Sequence, residues 1–200
     1  MDYIRPARPH SAELEIRKSR FIADIQPVCD REEAMRFIES VRALHPKANH
    51  HCWAYVAGNP DDAHQWNCSD DGEPKGTAGQ PMLNVLRHSY LGNICVVITR
   101  YFGGVKLGTG GLARAYSQAV QEALNELPTV AVIATVAVSL TAPYNLTGEL
   151  EHLIAQFQLS DCARSFGEAF MLTANLQAHR QESFREALIP FQHLITLSIS

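Results

Sequence analysis

The chain has 200 residues, 46% of them hydrophobic and 19% charged, with a formal net charge of −4. That balance excludes a disordered chain and supports a buried core, in one large domain or two of about 100 residues. The charged N-terminus "MDYIRPARPH" is no secretory signal, and the longest near-apolar run, "VAVIATVAVSL" at 130–140, is too short to cross a bilayer, so a cytoplasmic protein without a membrane partner is expected.

In chain order, "ELEIRKSRFIADIQPV" (13–28) predicts two short strands around Lys18-Ser19. Asp30 with Glu33 three residues on is a capping-box pattern; Ala34, Phe37, Ile38, Val41 and Leu44 continue at helical spacing until Pro46 stops the helix. "HCWAYVAG" (51–58) reads as a strand, 59–79 as a long polar loop, and "QPMLNVLRHSYL" (80–91) as a helix with Pro81 in its first turn. "NICVVITRYF" (93–102) is the most apolar strand, and Leu112 to Leu127 predicts a closing helix broken by Pro128. Beyond it come a strand Val132 to Ala142, a helix capped by Asn145, the strands "DCARSF" and "EAFMLTANLQA", an amphipathic stretch Ser183 to His193 and a final strand "LITLSIS". That β-α-β-β-α-β order is a ferredoxin-like module. The expected class is α+β with two domains, 1–130 and 136–200.

Charge is uneven. From Pro74 to Gln121 there is no Asp or Glu, while Lys75, Arg87, Arg100, Lys106 and Arg114 are all cationic, which makes this segment a candidate anion-binding face. At its centre stands "RYFGGVKLGTGGLARAYS" (100–117). A Walker A loop needs Lys and then Ser or Thr after its last Gly; here Thr109 and Gly110 follow Gly108, and Lys106 lies inside the loop. Gly108, Gly110 and Ala113 match a dinucleotide fingerprint, but a loop separates them from the strand and 127–140 contains no acid to bind a ribose. What survives is a glycine turn at a helix start, where backbone N–H groups and the helix dipole favour an anion. The expected anion or nucleic-acid site is Lys75, Arg100, Lys106, Gly108, Gly110, Gly111 and Arg114, with Tyr101 and Phe102 available to stack on bases. Lys75, Arg100 and Lys106 should share one face, and removing Arg100 or Lys106 should weaken binding with little loss of stability.

The five cysteines (Cys29, Cys52, Cys68, Cys95, Cys162) are widely spaced and read as reduced thiols. A zinc reading would join Cys52, His64 and Cys68 to His50 or His51, and a magnesium reading would use Asp70, Asp71 and Glu73. Neither completes a recognised ligand set, so no metal or cofactor is expected. His50 and His51 are possible acid–base groups, but no nucleophile accompanies them, and no catalytic residue is assigned.

"NHHCWAY" (49–55), "SDDGEPKGTAGQPML" (69–83) and "VVITRYFGGVKLGTGGLARAYS" (96–117) together resemble the signature of the IMPACT family, in its bacterial branch. The resemblance spans roughly 12–127, and 138–200 resembles the family's ferredoxin-like appendage. It implies a first domain of the βαβ type found in a small-subunit ribosomal protein and in elongation-factor-G-like proteins, and a second similar to the last domain of elongation factor G. It also implies a link to translation: eukaryotic relatives restrain the starvation-sensing kinase of initiation by competing for its ribosome-associated activator. Those relatives carry an additional N-terminal interaction domain, whereas this chain starts directly in the IMPACT domain, so that partner does not transfer. The expected function is a non-enzymatic regulator of translation that binds RNA, the ribosome or a ribosome-associated protein. Two alternatives stay open: an enzyme acting on a phosphorylated small molecule or nucleotide through the glycine loop, and a protein-interaction module using the second domain's sheet face. Oligomeric state is not legible.

Overall fold

The computed structural model describes residues 2–200, which divide into two compact units, Tyr3–Val132 and Ile133–Ser200, the latter joined by Asp2. The class is α+β. In chain order the first unit comprises β1 (Tyr3–Pro6), β2 (His10–Ile16), β3 (Ser19–Pro27), α1 (Arg31–Leu44), β4 (His50–Val56), β5 (Trp66–Ser69), α2 (Gly79–Ser89), β6 (Ile94–Tyr101), α3 (Thr109–Asn125) and β7 (Thr129–Val132).

Its sheet runs β2-β3-β6-β4-β5, with every neighbouring pair antiparallel. β2 and β3 join through Arg17 and Lys18, both at positive φ (48° and 64°), the conformation that matches a two-residue hairpin to strand twist. Asp30 caps α1 as expected, accepting from the Glu33 N–H at 2.8 Å, and the Glu33 carboxylate reaches back one residue beyond the cap, accepting from the Cys29 N–H at 2.7 Å.

The central strand β6 is buried on both faces, and its alternation sorts the core. Ile94, Val96 and Ile98 meet α2 and α3, together with Phe21, Ala23 and Ile25 of β3 and Cys52, Ala54 and Val56 of β4. Cys95 and Val97 face the opposite way, against Ala34, Ile38 and Val41 of α1. Helices therefore cover both faces of the sheet. β1 and β7 pair with each other as a separate antiparallel ribbon, Tyr3 opposite Val132.

The second unit comprises β8 (Thr135–Ala142), α4 (Thr147–Phe157), β9 (Ser160–Phe166), β10 (Phe170–Gln177), α5 (Gln181–Leu188) and β11 (Thr196–Ile199). Its sheet order, β11-β8-β10-β9, is that of a ferredoxin-like βαββαβ fold. One face of the sheet (Val138, Leu140, Phe170, Leu172, Leu176) packs on Leu150 and Phe157 of α4 and Phe184 of α5.

Four local expectations are corrected. The polar loop at 59–79 contains strand β5, because pairing with β4 supplies backbone partners that its sequence does not advertise. The strand expected over 132–142 is two, β7 and β8, belonging to different sheets. α3 begins at Thr109 rather than Leu112, so Gly110 and Gly111 are helical. Asn145 lies in a 3-10 turn, Tyr144–Leu146, ahead of α4 and does not cap it.

Candidate functional site

β6 carries its alternation one step beyond Ile98, which brings Arg100 onto the α2/α3 face at the end of the sheet. The register sets Phe21 of β3 and His50 of β4 on either side of it. Arg100 and His50 line a cavity of ≈ 430 Å³. Glu73, Pro74, Phe102, Lys106, Gly108 and Leu112 also line it.

Arg100 is 6% exposed. One guanidinium N–H donates to Glu73 Oε1, which also accepts from the Tyr116 hydroxyl of α3 at 2.9 Å. Among the described residues Arg100 Nε has no hydrogen-bond partner although it is buried. The guanidinium carbon lies 5.5 Å from the Phe21 ring centroid and 5.6 Å from that of Phe102, within cation–π range of both. His50 Nδ1 sits 2.8 Å from the Asp71 carbonyl oxygen, which only accepts, so Nδ1 carries the proton; Nε2 is 3.9 Å from Glu73 Oε2.

Tyr116 leads from this cluster into the core, with Cys52 Sγ 3.3 Å from its hydroxyl. Burial first, then the neighbouring Cys52 and Glu73, push the Tyr116 phenol far above its ordinary value, so it remains a hydrogen-bond donor. Burial likewise pushes the Cys52 thiol up, which removes it as a nucleophile.

The opposite lip is the start of α3. Gly108 stands before the helix at φ 73°, ψ 166°, a region essentially reserved for glycine. The Leu112 N–H to Gly108 carbonyl bond (2.8 Å) opens the helical ladder. The N–H groups of Thr109, Gly110 and Gly111 therefore precede the ladder and have no intrahelical acceptor, and no side chain among the described residues caps them. The loop before them is pinned at Gly103, where a Cβ would lie 1.9 Å from the Lys18 carbonyl oxygen of the β2–β3 turn.

The expected site residues thus separate. Arg100, Lys106 and Gly108 line one cavity, while Gly110 and Gly111 belong to the helix turn above it. Arg114 is exposed on α3, and Lys75 is exposed on the loop after Glu73 and does not line the cavity. Phe102 is half-exposed at the rim, whereas Tyr101 bonds His45 at 3.0 Å. The fifth cation of the acid-free segment, Arg87, lies over the Trp66 ring instead. The acid-free segment is not uncompensated either, because Glu73, one residue outside it, folds onto Arg100. Arg100 sits in a buried ion pair with Glu73, which argues against the expectation that its removal spares stability.

The three loop acids diverge. Asp70 accepts from the N–H groups of Gly76, Ala78 and Gly79, at 2.7, 3.0 and 2.9 Å, and so tethers the start of α2. Asp71 takes Arg42 at 2.6 Å and the His51 N–H at 2.7 Å. Glu73 alone reaches the cavity. Sequence reasoning missed the Glu73–Arg100–Tyr116 cluster. The signal was present: Arg100 is in phase with three buried aliphatics, and a charge at such a position requires a counter-charge.

Fold and site define a two-domain α+β protein whose first domain holds a cation-bearing cavity beneath a glycine-preceded helix. The Impact N-terminal domain model matches residues 17–124, which contain every residue of this cavity. The chain is 41% identical over 189 residues to the IMPACT family member YigZ of Escherichia coli (strain K12), covering 94% of this chain and 93% of that one. It is 39% identical over 187 residues to an IMPACT family member of Haemophilus influenzae, covering 94% and 91%. A crystal structure described as that of a hypothetical protein is 40% identical with a TM-score of 0.70, covering 99% of this chain and 96% of that one. The chain belongs to the IMPACT family.

Proposed function

We propose that the protein is a translation-linked regulator that binds RNA, holding its phosphates at the cavity beneath the α3 N-terminus. The observation that carries this reading is one cavity lined both by buried Arg100, whose Nε has no partner among the described residues, and by Gly108 and Thr109 at a helix start whose first N–H groups have no intrahelical acceptor. Lys106 adds a second cation at the exposed rim, and Phe102 offers an aromatic surface beside it. Family membership supports the setting in translation.

The test is binding of single-stranded RNA, measured by fluorescence anisotropy across a salt series. Affinity should fall as salt rises, and Lys106→Ala should weaken binding and flatten the logarithmic salt slope by about 0.7. RNA binding absent from the wild type, or identical in the variant, would reject the reading.

One observation favours a second reading, an enzyme acting on a phosphorylated small molecule. His50 reaches the same cavity with Nδ1 fixed as donor, leaving Nε2 toward Glu73 as a potential proton acceptor. Melting that shifts with added nucleotide, together with turnover lost in His50→Gln, would favour it over the first.

A further inference from the structure

We infer that the cavity takes one nucleotide by a terminal phosphate monoester, not the phosphodiester of a strand passing through, an inference that rests on the RNA reading of this same site. The donor count supports it. A guanidinium offers five N–H donors. Arg100 spends one on Glu73, and its buried Nε has no partner among the described residues. Thr109 lines the cavity with an N–H that has no intrahelical acceptor, those of Gly110 and Gly111 follow in the helix turn above, and Lys106 supplies a further cation. A phosphodiester has one charge and two non-bridging oxygens, whereas a terminal monoester carries about −1.5 to −2 and three acceptor oxygens. Several donors around one cavity match the second better.

Glu73 is the acid among the cavity's lining residues, and its charge opposes any anion. Its Oε1 is already engaged by Arg100 and Tyr116, and Oε2 is turned to His50.

The rest of the cavity suits a base better than a chain. Its volume of ≈ 430 Å³ lies within the range of single-ligand sites. Phe102, Leu107, Leu112 and Pro74 give it an apolar side, with the Phe102 ring 46% exposed and free to stack. A phosphate on the α3 start and a base on Phe102 would fill both halves with one nucleotide unit. That unit is the end of an RNA strand or a free nucleotide, and the chemistry is the same for both.

The experiment compares one RNA oligonucleotide ending in 5′-phosphate, in 3′-phosphate or in hydroxyls only, alongside a nucleoside 5′-monophosphate and inorganic phosphate, by calorimetric titration. A phosphate-ended strand should bind at least about tenfold more tightly than the hydroxyl-ended one, since the added charge meets two cations and a helix dipole. Lys106→Ala should remove most of that preference. Thr109→Pro should also reduce it, because proline at the first helical position deletes one donor N–H where the helix accommodates it. Phe102→Ala should weaken the mononucleotide about tenfold and leave inorganic phosphate unchanged. Circular dichroism of each variant checks that it folds. A mononucleotide binding as tightly as the phosphate-ended strand supports the inference and makes the free nucleotide the source. Hydroxyl-ended RNA binding as tightly as phosphate-ended RNA overturns the inference and leaves the RNA reading standing. No binding by any probe overturns both.

Discussion

Replacing Arg100 with methionine tests whether the cavity floor rests on a buried ion pair. The substitution keeps an unbranched apolar stem between Phe21 and the cavity and removes the guanidinium. Glu73, whose side chain is 4% exposed, would then hold a carboxylate with the Tyr116 hydroxyl at 2.9 Å and His50 Nε2 at 3.9 Å as its remaining neighbours. Stripping one partner from such a pair costs about 3–5 kcal/mol, because an uncompensated charge stays out of water. The Tyr116 bond offsets part of this, so a loss of about 3 kcal/mol is expected. Adding Glu73→Gln removes the charge and retains an acceptor for Tyr116; the double variant should lie within about 1 kcal/mol of wild type, since replacing both members of a buried pair is often near neutral. The measurement is urea unfolding followed by tryptophan fluorescence. Both tryptophans, Trp53 and Trp66, lie in the Tyr3–Val132 unit and report on it. A single variant losing less than about 1 kcal/mol, or a double variant no more stable than the sum of the singles, would refute the buried-pair account.

Gly108→Ala should destabilise by about 1–3 kcal/mol in the same assay, because φ 73°, ψ 166° is strained for any Cβ, although nothing lies within 4 Å of the added atom; an unchanged urea midpoint would contradict it. Burial alone would raise the Asp70 carboxyl, but three backbone N–H bonds outweigh it and hold the group below its ordinary value. Its ionised form therefore favours the folded state above the ordinary Asp range, and that contribution is lost as pH falls through the depressed folded value. The stability gap between wild type and Asp70→Asn at neutral pH should close in acid, and a gap independent of pH would count against the tether. Exposed Cys29 should react with a thiol reagent in the native protein, whereas Cys52 and Cys95, fully buried and pushed up by burial, should react only on unfolding; rapid native labelling of either would show that the core opens.

Several features were legible because their cause is local. Asp30 and Glu33 cap α1 through bonds spanning three and four residues, and a proline after its end stops it, so composition alone places that helix. The second domain's element order follows from the switch of hydrophobic period, and its packed core follows from which face is apolar. Membership of the IMPACT family was carried by two long motifs, and the relatives bear it out.

What tertiary structure decided depends on pairings between distant residues. β5 is a four-residue strand with alternating Trp66, Asn67, Cys68 and Ser69, and only β4 beside it makes it one. β1 and β7 are short segments from opposite ends of the first unit, each strand-like only through the other. The glycines at 110 and 111 have poor helix propensity, yet the packing of Leu112, Ala115 and Tyr116 into the core extends α3 back through them. Glu73 meets Arg100 across 27 residues, and Tyr116 meets Glu73 across 43. Sequence could show that Arg100 falls on a core-facing position, because alternation along a strand is fixed by backbone geometry. Which acid answers it depends on sheet register and loop path, and those are set by the whole domain's packing.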